Sequence, residues 1–162
     1  MFVRTASERD LVAIRALLVE TWHATYDAIY GAEHVTAITD DWHSLASLKA
    51  QLARPNSEFL VADDGKRLGG MAFAAATTDP KIVLLNQLYV SPDCQRQRIG
   101  QALLDEVEAS FPQMRTLRLE VEQANAVAIA FYEANGFRTA GRTADCGGSS
   151  GWPALILEKR LG

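Results

Sequence analysis

The run Leu88-Tyr89-Val90-Ser91-Pro92-Asp93-Cys94-Gln95-Arg96-Gln97-Arg98-Ile99-Gly100-Gln101-Ala102-Leu103-Leu104 carries the densest chemical information in the chain. An apolar strand runs into a Pro-marked turn, then a loop of amides and arginines, then a glycine that opens an amphipathic helix. N–H groups of the loop and of the first helical turn have no partner within the helix. They converge on one spot, where the helix dipole adds positive potential. Arg96 and Arg98 strengthen that field. A phosphate group is the natural occupant, so the chain is expected to bind a phosphorylated cofactor.

A second group of charges has the opposite sign. Glu20, Asp27, Glu33, Asp40 and Asp41 lie in the N-terminal third, where they would suit a cationic or amine acceptor. The same residues are equally compatible with solvated helix faces. Trp22, Tyr26 and Tyr30 recur every fourth residue and form one helical stripe, which reads as core packing more readily than as a substrate cage. A net charge near −4 argues against general nucleic-acid binding, which needs a basic surface. Neither Cys94 nor Cys146 has metal-ligand spacing with His23, His34 or His43, so no metal site is expected.

At 162 residues the chain suits one domain, 1–162, with a single core. No apolar run approaches the roughly 20 residues that cross a bilayer, so no membrane span is expected. Met1 to Thr5 reads as a first strand rather than a signal peptide. With two cysteines and no signal pattern, the chain is expected to be cytoplasmic and reduced, as a monomer or homodimer.

The elements that must position these residues follow from periodicity. Ser7 and Asp10 form a capping-box-like start, after which Leu11, Ile14, Leu17, Leu18 and Trp22 keep a helical period until Gly31 interrupts it. A second helix is predicted from Thr39 or Asp40 to before Pro55. Strands are predicted over 58–62, 68–77 and 82–90, with Asp64-Gly65 as a hairpin turn. A helix over 100–110, a strand over 117–121 and a helix over 126–134 ending at Asn135-Gly136 come next. Closing strands are predicted over 137–143 and 154–159. Hairpins mixed with a crossover helix predict an α+β fold, a mixed and mostly antiparallel sheet flanked by helices, and not a doubly wound sheet.

Two segments together resemble the GNAT N-acetyltransferase superfamily. Leu-Tyr-Val-Ser-Pro followed by Gln95-Arg96-Gln97-Arg98-Ile99-Gly100 is similar to that family's strand and Gln/Arg-x-x-Gly-x-Gly/Ala loop. Leu119-Glu120-Val121, then Asn125, then Ala128-Ile129-Ala130-Phe131-Tyr132-Glu133-Ala134-Asn135-Gly136-Phe137 is similar to the second half of its signature. The spacing of Glu120, Asn125 and Tyr132 resembles the ribosomal-protein N-terminal acetyltransferase branch. The chain departs from the pattern at one position, where Arg98 stands in place of the family's first loop Gly. A Gly there lets a ligand approach the backbone without a Cβ in the way, whereas Arg supplies the same N–H and an added charge.

The resemblance implies direct acetyl transfer from acetyl-CoA to a primary amine of a small molecule, peptide or protein. The alternative is a non-catalytic CoA-binding regulatory module on the same fold. The resemblance implies that Gln95, Arg96, Gln97, Arg98, Ile99, Gly100, Gln101 and Ala102 take the pyrophosphate. It likewise gives the acetyl carbonyl and pantetheine arm to backbone groups around Leu88, Tyr89 and Val90. Tyr132 is the implied general acid toward the departing thiolate, set against a phenol packed beside Phe131. Asn125 is implied as a cofactor contact, with a plain helix N-cap as the other reading. Glu120 is the implied base, directly or through water, against a carboxylate that faces solvent or pairs with Arg118 or Arg115. His23, Glu20 and Asp27 are alternatives from the acceptor side. The segment Asp145 to Pro153 reads either as an acceptor lid or as a long hairpin.

Overall fold

The computed structural model describes residues 1–94, 97–144 and 152–161. Its elements are β1 (Phe2–Thr5), α1 (Leu11–Tyr30), α2 (Ala32–Trp42), α3 (Leu45–Leu52), β2 (Ser57–Asp63), β3 (Leu68–Ala76) and β4 (Ile82–Val90). They continue with α4 (Ile99–Ser110), β5 (Thr116–Glu122), α5 (Ala126–Ala134), β6 (Arg138–Thr143) and β7 (Ala154–Arg160). The strands form one seven-stranded sheet in the order β1-β2-β3-β4-β5-β7-β6. The pairs β1–β2, β5–β7 and β6–β7 are antiparallel and β4–β5 is parallel, which makes the fold α+β with a mixed sheet.

Contacts divide the chain into two compact units. The first comprises Met1–Ala74 with Gln87–Ser110, the second Ala75–Asn86 with Phe111–Gly162. In the first unit α1 buries Leu11, Ile14, Leu18, Trp22 and Tyr26, a stripe with the period of a helix packed on one side. Each large side chain removed from water in this way contributes roughly 1.5–3 kcal/mol. The interiors of β2 and β3 are buried almost without alternation, from Phe59 to Ala62 and from Gly69 to Ala75, so both strands are covered on both faces. Phe59 and Phe73 meet edge to face at 5.5 Å across them. In the second unit Leu117, Leu119 and Val121 alternate inward along β5, which β7 pairs over its full length.

The start of α1 is tied to the sheet by charge. The guanidinium of Arg4 on β1 donates to both carboxylate oxygens of Asp10, at 2.8 and 2.9 Å, and also to Asp63 on β2. Asp10 accepts from Ser7 N as well, completing the capping arrangement, although the turn it closes is a short 3₁₀ segment (Glu8–Asp10) leading into α1. The Arg4 guanidinium holds the Asp10 carboxyl well below the usual carboxylate range.

One predicted element is corrected. The single helix expected from Thr39 or Asp40 to before Pro55 is two helices, α2 starting at Ala32 and α3 at Leu45. Gly31 turns the chain at φ +87° after its N–H has closed α1 on Asp27 O, and the helical path resumes at once. Ser44 then stops α2 by capping α3, its Oγ accepting from Ser47 N at 3.1 Å. The remaining elements match their predicted spans to within about two residues, the scatter expected at element ends.

Candidate active site

The first unit carries the segment that the sequence predicts to bind an anion. The parallel register of β4 with β5 covers Ile82 to Leu85, while β4 itself continues through Leu88, Tyr89 and Val90. At the strand's end Ser91 is fully buried. Its N–H donates to Gly69 O at 2.8 Å, and its carbonyl accepts from Cys94 N in the 3₁₀ turn Pro92–Cys94. Gln95 and Arg96 lie outside the described residues. Gln97 and Arg98 are exposed, and α4 begins at Ile99, anchored by buried Ile99, Leu103, Leu104 and Val107.

Arg98 has φ +59°, the left-handed region that L side chains disfavour. This explains why a Gly suits the position: the backbone must reverse hand here to present the first turn of α4. The departure noted in the sequence is therefore conformational before it is electrostatic. No residue from Gln97 to Gln101 is a proline, so each supplies a backbone N–H at the helix entrance, whereas Ala102 N donates to Arg98 O within α4. That donor set, with the Arg98 charge beside it, fits the pyrophosphate of a CoA thioester.

Behind β4 the aromatic stripe of α1 is core. Trp22 and Tyr26 are buried, their rings 4.7 Å apart, and Trp22 lies 6.2 Å from the ring of Tyr89 and 5.5 Å from that of Trp42. His43, at the end of α2, is 2% exposed and sits 5.6 Å from Trp22. Its Nδ1 is 3.4 Å from Gln87 Nε2 on β4, and Gln87 Oε1 accepts from Gln51 Nε2 at 2.8 Å. Burial, and next the charge of Arg15, push the His43 imidazole down to about 4, so it is neutral at physiological pH. Two members of the N-terminal acidic group have cationic or histidine partners: Asp40 is held by Arg15 at 3.0 Å and Asp27 by His23 at 2.6 Å.

The second unit carries Glu120, Asn125 and Tyr132. Asn125 caps α5, its Oδ1 accepting from Ala128 N at 3.1 Å, so the capping reading holds. Tyr132 lies on the buried face of α5 between Phe131 and Phe137, each ring 5.3 Å away and edge to face. Burial, and then the negative charge of Glu122, raise the phenol well above its ordinary value. Glu120 is exposed. The guanidinium of Arg118, one of its suggested partners, donates to Glu158 on β7 at 2.6 Å.

Glu122 was not legible as special from the sequence. It continues the outward alternation of Arg118 and Glu120, yet it is only 5% exposed because the chain turns back at the end of β5. There Gln123 N donates to Pro153 O and Asn125 N to Glu122 O. A burial created by the following turn leaves no mark in the strand's own pattern. Within the candidate lid, residues 145–151 lie outside the described residues, as does Cys146, while Cys94 is a buried free thiol. Among the described residues no helix is long and apolar enough to cross a membrane, and no cluster of three or more metal-ligating side chains occurs.

Comparisons with known proteins agree with this geometry. The profile of the Acetyltransferase (GNAT) family matches residues 13–137. The spermidine N(1)-acetyltransferase of Thermoplasma acidophilum is 29% identical over 98% of this chain and 96% of its own length. The peptidyl-lysine N-acetyltransferase YiaC of Escherichia coli K12 is 32% identical over 83% of this chain and 82% of its own. Among solved structures, the PaiA N-acetyltransferase of Thermoplasma acidophilum in complex with coenzyme A superposes with a TM-score of 0.85 at 27% identity, covering 98% of each chain. The chain therefore belongs to the GNAT acetyltransferase family, enzymes that move an acetyl group from acetyl-CoA to an amine.

Proposed function

We propose that this acetyltransferase takes a polyamine as its acceptor. The observation that carries the reading is an open depression of about 650 Å³ where α1 meets α2, lined by Tyr30, Gly31, Ala32, Glu33 and His34. A depression whose lining includes both a carboxylate, Glu33, and an aromatic residue, Tyr30, suits an alkylammonium group, which gains from a negative charge and from a ring face. The net charge near −4 favours approach of a polycation. The end-to-end likeness to a spermidine acetyltransferase supports the same acceptor class. A second reading, the ε-amine of a protein lysine, is supported by the match over most of the chain with a peptidyl-lysine acetyltransferase.

In this reading residues 1–162 act as one N-acetyltransferase domain. Bound acetyl-CoA supplies a thioester whose carbonyl carbon is the electrophile. Gln95, Arg96, Gln97, Arg98, Ile99, Gly100 and Gln101 hold the pyrophosphate through backbone N–H groups and the two guanidinium charges, while Ala102 closes the first turn of α4 on Arg98 O. Backbone groups of Leu88, Tyr89 and Val90 orient the acetyl carbonyl and the pantetheine arm. Asn125 uses Oδ1 for its cap, so a donor contact falls to its Nδ2. Exposed Glu120 takes the ammonium proton through water, leaving a neutral nucleophile. The amine forms a C–N bond to the carbonyl carbon and the C–S bond breaks. Tyr132, protonated at neutral pH, gives its proton to the departing thiolate, and the extra proton of the new amide nitrogen restores the phenol. Consumption of acetyl-CoA, a cytosolic thioester, supports a cytoplasmic location.

The test is an acceptor panel of spermidine, spermine, putrescine, a lysyl peptide and a peptide with a free N-terminal alanine, read as free thiol released from acetyl-CoA. A kcat/KM for spermidine at least about tenfold above that for the lysyl peptide supports the polyamine reading. The reverse order overturns it in favour of the peptide.

A further inference from the structure

Ser91 is the pivot between β4 and the donor loop, and its side chain is as fully engaged as its backbone. Arg67, in the β2–β3 turn, donates from Nη2 to Ser91 Oγ at 3.0 Å. Ser91 Oγ donates in turn to Glu20 Oε1 on α1, also at 3.0 Å. Arg67 Nη1 lies 3.6 Å from Asp93 Oδ2, in the first turn beyond the strand. A single buried hydroxyl thus joins a guanidinium and a carboxylate from two other elements. The residue that carries it has its N–H on β3 and its carbonyl on the 3₁₀ turn.

We propose that Arg67 and Glu20, joined through Ser91 Oγ, are positioning residues that fix the angle at which the pyrophosphate loop leaves β4. The inference rests on the assignment of that loop to the donor's pyrophosphate. The backbone N–H groups and the two arginines of this site all belong to the one loop and move with it, so its affinity depends on where the chain leaves the strand. The strain at Arg98 sharpens this need, because a left-handed residue persists only where its neighbours are held. An exposed ion pair alone would contribute little, and the Arg67–Asp93 contact is of that kind. The buried hydroxyl differs: its loss leaves the guanidinium and the carboxylate without their shared partner.

The experiment compares the dissociation constants of CoA and of pantetheine, which lacks the pyrophosphate, in the wild type, Ser91→Ala, Arg67→Gln and Arg67→Lys. Arg67 is exposed, so Arg67→Gln tests the idea without disturbing the core. The expected result is a loss of about tenfold in CoA affinity in Ser91→Ala and Arg67→Gln, partly restored in Arg67→Lys, with pantetheine changed by less than about twofold. Equal losses for both ligands would mean a merely structural role and overturn the inference. Unchanged affinity for both ligands would also overturn it. A wild type that binds CoA no better than pantetheine would instead overturn the assignment of the loop, and this inference with it.

Discussion

The carbonyl of Arg98 accepts the first hydrogen bond of α4, from Ala102 N at 3.0 Å, while Arg98 itself holds φ +59°. The residue that opens α4 is therefore the one whose backbone is strained. A left-handed conformation costs an L-residue roughly 1–2 kcal/mol, which glycine escapes. Arg98→Gly is expected to raise stability by about 1 kcal/mol, or about 2–4 °C in Tm, after the greater flexibility of the unfolded glycine is set against the gain. CoA affinity should fall only by the share of the Arg98 charge, about threefold. Thermal melts of the apo protein decide it: an unchanged or lower Tm means the turn carries no strain worth relieving.

Tyr132→Phe keeps the ring packing against Phe131 and Phe137 and removes only the phenol. The expected loss is about 10²-fold in kcat, with the KM for acetyl-CoA changed little. Because burial and Glu122 raise the phenol's folded pKa above its ordinary value, no loss of activity from Tyr132 should occur below pH 10. The unfolded chain releases this proton first, so the associated stability is complete below pH 10 and is lost only as pH rises beyond it. Retention of full kcat in Tyr132→Phe would remove the residue from the chemistry.

His43 sets a separate pH window. Its folded value of about 4 lies below the ordinary 6.5, so the unfolded chain binds the proton more readily. The corresponding stability is fully present above pH 6.5 and is lost as pH falls to about 4, by on the order of 3 kcal/mol. Asp10, whose carboxyl is depressed by Arg4, begins to withdraw its contribution only below its ordinary 3.8, so the two windows separate. Urea titrations at pH 7.5 and 4.5 should show a drop in the wild type that is much reduced in His43→Gln. An equal drop in both proteins would assign the acid sensitivity elsewhere.

Gly70 on β3 leaves no space for a methyl group. A Cβ there would lie 3.0 Å from Tyr89 O, from Ile99 Cγ2 and from Leu103 Cδ1. Two of these neighbours belong to α4 and the third is backbone of β4, so Gly70→Ala should press on both elements that flank the proposed donor site. The expected cost is about 1–3 kcal/mol with weaker CoA binding. Unchanged stability would show that α4 can shift without consequence.

The parts of this chain legible in its sequence are those whose signal is local. The strand of 82–90 and the helix of 126–134 have the predicted bounds, because Pro80 and Pro92 bracket the first and Asn125 with Asn135-Gly136 bracket the second. The two signature segments likewise announced the family before any fold was known. What escaped was decided by neighbours. Ser44 splits a helical run that propensity would continue, because its hydroxyl can satisfy the N–H of Ser47. Glu122 is buried by the turn after its strand, and Glu120, identical in type and alternation, is left outside. The role of Ser91 depends on Arg67 and Glu20, far from it in sequence, which no spacing rule connects.

The activity that defines this protein is acetyl transfer rather than donor binding alone. Its most direct measurement is mass-spectrometric detection of acetylated spermidine, together with free thiol, after incubation of the protein with acetyl-CoA and spermidine. The two products are expected in equal amounts, with both reduced about 10²-fold in Tyr132→Phe. Saturable CoA binding with neither thiol nor acetylated amine, from spermidine or from any amine of the panel, would contradict it and favour a non-catalytic CoA-binding module.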